Sequence, residues 1–201
     1  MWRLCGLFLV AILAWSCGST GNDDQQVFEF LRFDNTGLTQ EDAMRETSAD
    51  IDNLQDCCEA IGQQCTAWEP FTNATVNAVF RNMEAADIHL ERVVIDTGPR
   101  AKFGVITRNV SGVIPGGRCP SGASCVEDRD CAAAGENAEV GDCFHAETNI
   151  GAILLFDVFD KQHIPTGTDN VQITFFASDP HRSFEARTSY VVTFADFNNC
   201  P

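Results

Sequence analysis

Four cysteines, Cys119, Cys125, Cys131 and Cys143, with His145 close behind, form the densest set of side chains in this chain that could hold a metal or carry redox chemistry. Structural zinc prefers ligand pairs two to four residues apart, whereas the first three of these cysteines stand six apart. Two disulfides fit that spacing better. Acidic groups offer a second chemistry: Asp50 with Asp52, Asp157 with Asp160, and Glu127 with Asp128 and Asp130. Calcium takes six to eight oxygens, and none of these runs has the Gly and closing Glu of a calcium loop, so solvated acidic loops are expected. A Ser nucleophile elbow, a two-His zinc helix and a phosphate loop are all missing from the sequence. His89, His145, His163 and His181 are scattered among loop and strand residues. No catalytic residue, bound metal or cofactor is therefore assigned.

The elements that hold these residues belong to a chain of 201 residues, 44% hydrophobic with 15 Phe, enough to build one packed core. A formal charge of −16 repels nucleic acid, which removes DNA and RNA from the expected partners. Residues 1–16 read as a signal peptide. Arg3 is followed by the apolar segment Leu4–Trp15, which is too short for the ~20 residues that span a bilayer. Export implies an oxidising compartment. Loss of Cys5 with the signal leaves Cys17, Cys57, Cys58, Cys65, Cys119, Cys125, Cys131, Cys143 and Cys200, an odd count; setting Cys17 aside leaves eight that can form four bridges.

Ser16 and Cys17, followed by the polar stretch 17–26, resemble the lipobox of bacterial lipoproteins. That resemblance implies a thiol lipidated at Cys17 and a chain anchored by its acyl groups to a membrane, at the outer membrane or cell surface. Ala14 and Ser16 also satisfy the small-x-small rule of ordinary signal cleavage, which cuts the same bond. The odd cysteine favours lipid. The sequons Asn73-Ala74-Thr75 and Asn109-Val110-Ser111 matter only in a eukaryotic secretory host.

Downstream, strand signals recur and no long helix is legible after residue 66. "VFEFLRF" (27–33) places Phe28 and Phe30 on one face and Val27, Leu31 and Phe33 on the other. Residues 75–80 and the run from Ile88 read as a hairpin across "NMEAAD", with a bulge near Glu91 or Arg92 where the apolar phase shifts. Further strands are expected at 101–107, 152–159, 170–177 and 185–195; in the last, Ala186, Thr188, Tyr190, Val192 and Phe194 share a face. Residues 116–143 are rich in Gly, Ala, Cys and acids and poor in large apolar groups, so they form an insertion that disulfides must hold.

The pattern predicts an all-β protein: an antiparallel β-sandwich over residues 27–201 with a disulfide-rich loop insertion. The segments "PFTNATVNAVFRNMEAADIHLERVVID" and "SYVVTFADFNNC" resemble immunoglobulin-like and fibronectin-type sandwiches of bacterial surface proteins. In that topology a first strand at 48–56 runs parallel to the last at 185–197. One of Cys57 and Cys58 then bonds Cys200 while the other closes the short loop to Cys65. The functional expectation is a non-enzymatic, lipid-anchored envelope protein, a surface, adhesive or assembly module with an extracellular protein or glycan partner. The alternatives are a secreted hydrolase of glycan or peptide and a Ca²⁺-dependent ligand binder.

Overall fold

A computed structural model describes residues 27–34, 48–52, 73–99, 104–133 and 142–195. Within them lie strands β1 (Phe28–Asp34), β2 (Ser48–Asp52), β3 (Ala74–Asn82), β4 (Ile88–Asp96) and β5 (Val105–Ile114). Helix α1 (Asp128–Ala133) is followed by β6 (Glu147–Phe156), α2 (Val158–Lys161), β7 (Gly167–Ser178) and β8 (Ser183–Ala195). One sheet has the order β1-β3-β6, the other β2-β8-β7-β4-β5. All pairings are antiparallel except β2 with β8, which is parallel.

Alternation along the strands builds the core. Ile88, Leu90, Val93 and Ile95 of β4, Val171, Ile173, Phe175 and Ala177 of β7, and Ala186, Tyr190, Val192 and Phe194 of β8 are buried, as a period of two demands for one covered face. Val76, Ala78 and Phe80 of β3 and Ile153 and Leu155 of β6 face them in the same cluster. Rings meet between the sheets: Phe80 and Phe175 lie edge to face at 5.0 Å, Phe33 and Tyr190 at 4.8 Å, and Phe156 and Phe194 at 5.3 Å. Such pairs add about 0.5–1.5 kcal/mol beyond their burial.

Bulges explain where simple alternation fails. In β4 the register shifts between Leu90 and Arg92 against both neighbours, at the site of the predicted bulge, and keeps Val93 and Ile95 on the inner face. A shift between Phe30 and Arg32 has the same effect in β1. Phe28, Phe30 and Phe33 thus all join the core, and the expected division of these rings between two faces is corrected. In β6, Ala152 has φ 55° and donates its N–H to Asn77 Oδ1 at 2.9 Å, beside a register break near Val76 and Ala78.

Two further expectations are revised. β3 and β4 do not form a hairpin, because β3 pairs with β1 and β6 while β4 pairs with β5 and β7. The polar turn between them crosses from one sheet to the other, since both strands have a covered face to bury and sit on opposite sides of the same core. The expected strand 152–159 ends at Phe156. Asp157 caps α2, its side chain accepting from Asp160 N–H while the Asp160 carboxylate accepts from Asp157 N–H. This reciprocal cap stops the strand and turns the chain.

Arg108 is the inward charge on edge strand β5. It reaches Asp157 at 3.2 Å and also bonds Asp160, whose side chain is 7% exposed. An inward-pointing charge on a sheet edge discourages pairing with other chains, and here its partners come from the segment after β6.

Candidate functional site

The connections that follow β3, β5 and β7, together with the start of β1, lie at one end of the two-sheet structure. Phe28 pairs with Asn82, the last residue of β3, and Met83 N–H donates to Val27 O at 2.8 Å. Ser178 pairs with both His89 and Ser183, and Ile88 pairs with Ile114. The β3–β4 turn, the long β5–β6 connection and the β7–β8 turn therefore form a shared apex.

Asn82 holds this apex together. It is fully buried, and its Nδ2 donates to Ala86 O at 2.8 Å and Ile114 O at 3.1 Å while its Oδ1 accepts from Glu84 N–H at 2.9 Å. Its carbonyl oxygen faces His145 Nδ1 at 2.7 Å, and the other ring nitrogen, Nε2, faces Val126 O at 3.1 Å. Arg118 donates to Ala85 O at 2.9 Å, to Ser124 Oγ at 3.0 Å and to Asp87 at 2.8 Å. Backbone contact is close. A Cβ on Gly116 would lie 2.4 Å from Ala85 O, and one on Gly117 would lie 2.4 Å from Cys125 O. Glycine is the residue that permits such an approach.

Inside the insertion, Cys119 joins Cys131 and Cys125 joins Cys143. Cys119, Cys125 and Cys131 are the buried residues of a small separate cluster, flanked by Ala123 and Cys143. Cystine sulfur replaces the missing apolar side chains. The sulfurs of Cys119, Cys125 and Cys131 lie within 4.8 Å of one another. With both pairs bonded, they have no thiolate to offer a metal.

The acidic groups of the insertion are tied to its own backbone and arginine while keeping contact with solvent. Asp130 accepts from Val126 and Glu127 N–H, which hold its carboxyl below the usual carboxylate range. Asp128 accepts from Cys143 N–H at 2.8 Å, and Glu127 pairs with Arg129. In the β7–β8 turn, Asp179 accepts from His181 and Arg182 N–H, with its pKa lowered mainly by the His181 bond. Arg182 reaches Glu84 at 2.8 Å and ties that turn to the β3–β4 turn; this contact raises its pKa further. Against this background Phe144 is 68% exposed and Val126 40% exposed.

The other expected site residues are dispersed. Asp157 and Asp160 come together as the α2 cap and the partners of Arg108. Asp50 and Asp52 lie in β2. His89 is exposed on β4, the His163 ring lies tilted against Phe159 at 4.4 Å, and His181 sits in the β7–β8 turn, so the four histidines do not converge. Cys17, Cys57, Cys58, Cys65 and Cys200 lie outside the described residues. Asn82, Arg118 and Phe144 were not singled out by sequence reasoning. The one available signal was the Gly116-Gly117 pair at the entry to the insertion, which marks a close backbone approach.

In comparisons with known proteins, no family model matches the chain, and neither a curated protein nor a solved structure matches it.

Proposed function

We propose that this chain is a non-enzymatic envelope lipoprotein, anchored through lipid on Cys17, whose immunoglobulin-like sandwich is displayed outside the cytoplasm as a binding or assembly module. The strand order supports the immunoglobulin-like reading. The two opening strands divide between the sheets, β2 runs parallel to β8, and β3 crosses to β4 on the opposite sheet. The apex carries the functional reading: its Asp, Arg, Asn and His side chains are largely engaged within the protein, while Phe144 and Val126 are left to solvent. A braced loop end with an exposed aromatic suits recognition of a protein or glycan surface.

The hydrolase reading is less favoured, because Asp157 and Asp160, the paired carboxylates after β6, are committed to a helix cap and an arginine. A calcium-dependent binder would show a melting temperature that rises with added Ca²⁺ and falls with chelator.

The test of anchoring is expression of the full chain in a bacterial host, followed by detergent partition and mass spectrometry of the mature N-terminus. Wild type should enter the detergent phase with a diacylated Cys17, and Cys17→Ser should stay aqueous. A soluble wild type with a free Cys17 thiol would end the lipoprotein reading.

A further inference from the structure

The point at which the tether enters the domain settles which end of the molecule lies near an anchor at Cys17. Val27 accepts from Met83 N–H, and Phe28 pairs with Asn82, so the chain enters β1 beside the β3–β4 turn to which the insertion is bonded. The opposite end carries the β4–β5 turn and α2 with its exposed Phe159. Ten residue steps separate Cys17 from Val27, and even fully extended they span no more than about 35 Å. The 13 residues of β8 alone extend over roughly 43 Å. The tether is thus shorter than the domain, and the apex is the end it holds.

From this we infer that the disulfide-braced apex stands toward the membrane that carries the anchor, and that Phe144 docks into a protein of that same membrane. This rests on the proposed anchoring and resolves the choice between adhesion and assembly in favour of assembly. An apex held at its own membrane cannot readily meet a ligand on another cell. The bilayer itself is a poor occupant. Residues 116–143 carry six acids against two arginines, which anionic headgroups repel. The fitting occupant is a protein surface with an apolar recess for Phe144 and a basic or amide-rich rim for Glu127, Asp128 and Asp142, all exposed.

Val113 and Val105 provide an internal ruler. Both are exposed on edge strand β5, eight residues apart, with Val113 near the apex and Val105 at the far end. The lipidated full chain, carrying a clickable residue and donor dye at one position or the other, is reconstituted in phosphatidylcholine vesicles containing a headgroup acceptor. Transfer from position 113 should exceed that from 105 by roughly two-fold or more, given a separation of about 26 Å along the strand. Equal or reversed transfer overturns the orientation. If Cys17 proves unmodified, anchoring has failed on its own; coupling that thiol to a maleimide lipid still reads the orientation, with the same two outcomes.

The partner is tested in cells with a photo-crosslinking residue in place of Phe144 or of Phe159. A product that remains in carbonate-washed membranes, forms from position 144 only and is lost with Cys17→Ser supports a partner in the same membrane. No product from 144, or a product formed equally by the untethered chain, overturns it.

Discussion

Asn82 shows how much a single side chain can carry. The residue itself is fully buried, and its three side-chain bonds, the one to Ile114 O buried and the other two part-buried, connect the β3–β4 turn to the end of β5. Removing them orphans the Ile114 and Ala86 carbonyls and the Glu84 N–H, each at a desolvation cost of about 1–3 kcal/mol where water cannot replace the bond. Asn82→Ala is therefore expected to destabilise the protein by about 2–4 kcal/mol in urea denaturation. A loss below 0.5 kcal/mol would show that the apex does not depend on this residue. Asp179 makes a pH-dependent contribution at the same end. Its folded pKa is lowered, so its stabilisation is fully present above the unfolded value of about 3.9 and is lost as pH falls through the folded value. Asp179→Asn should be less stable than wild type by a constant margin above about pH 5, and the melting curves of the two should converge toward pH 2. Comparing the two proteins cancels most of the relief of self-repulsion that acidification brings to a chain of charge −16.

Among the elements, the β5–β6 connection is the one with its own small interior. Beyond the buried Gly116-Gly117 pair at its entry, its buried side chains among the described residues are the cysteines of the separate cluster, and none of the described residues between 115 and 146 belongs to the main core. Replacing 119–143 with a short Gly/Ser linker, while keeping Asn82, Arg118 and His145, should leave a cooperative transition with an unfolding midpoint near that of wild type. Loss of cooperativity would place the segment in the core after all. Edge strand β5 offers a contrast. Its inward Arg108 is held by Asp157 and Asp160, and Asp160→Ala strands a half-buried guanidinium on a sheet edge. We expect a cost of about 2–4 kcal/mol, below the full figure for a deeply buried pair because Arg108 and Asp157 keep some solvent. Size-exclusion chromatography should also show increased self-association of this variant, since the guarded edge is loosened.

At the scale of the whole molecule, the parallel pairing of β2 with β8 links the beginning of the domain to its end. Asp52 pairs with Ala195, and Cys57 and Cys200 each follow their strand by five residues, a symmetry that suits a bridge from the Cys57-Cys58 pair to Cys200. Those cysteines lie outside the described residues. Such a bridge closes a loop of well over a hundred residues, for which chain entropy gives roughly 4–5 kcal/mol. Non-reduced peptide mapping should recover Cys200 joined to the Cys57-Cys58 peptide, and Cys200→Ser should lower the melting temperature by about 5 °C or more. A map joining Cys200 to Cys119, Cys125, Cys131 or Cys143 would reject the pairing.

Local pattern alone was enough to reveal the strands of β4, β7 and β8, because a strand with one covered face must alternate and those residues do. It also revealed the bulge at Arg92, where the alternation skips, and the dependence of residues 116–143 on cystine, because their composition lacks anything else to bury. The assignment of β3 and β4 to different sheets was not legible, since a turn between two apolar strands reads the same whether the strands pair or face each other across a core. Nor was the apex. Asn82, Arg118, His145 and the β7–β8 turn are far apart in the chain, and nothing in their spacing announces that they meet. Which polar groups satisfy one another, and which aromatic is left exposed, is decided only when strands distant in sequence are brought to the same end of the fold, because hydrogen bonding and burial are properties of neighbours in space.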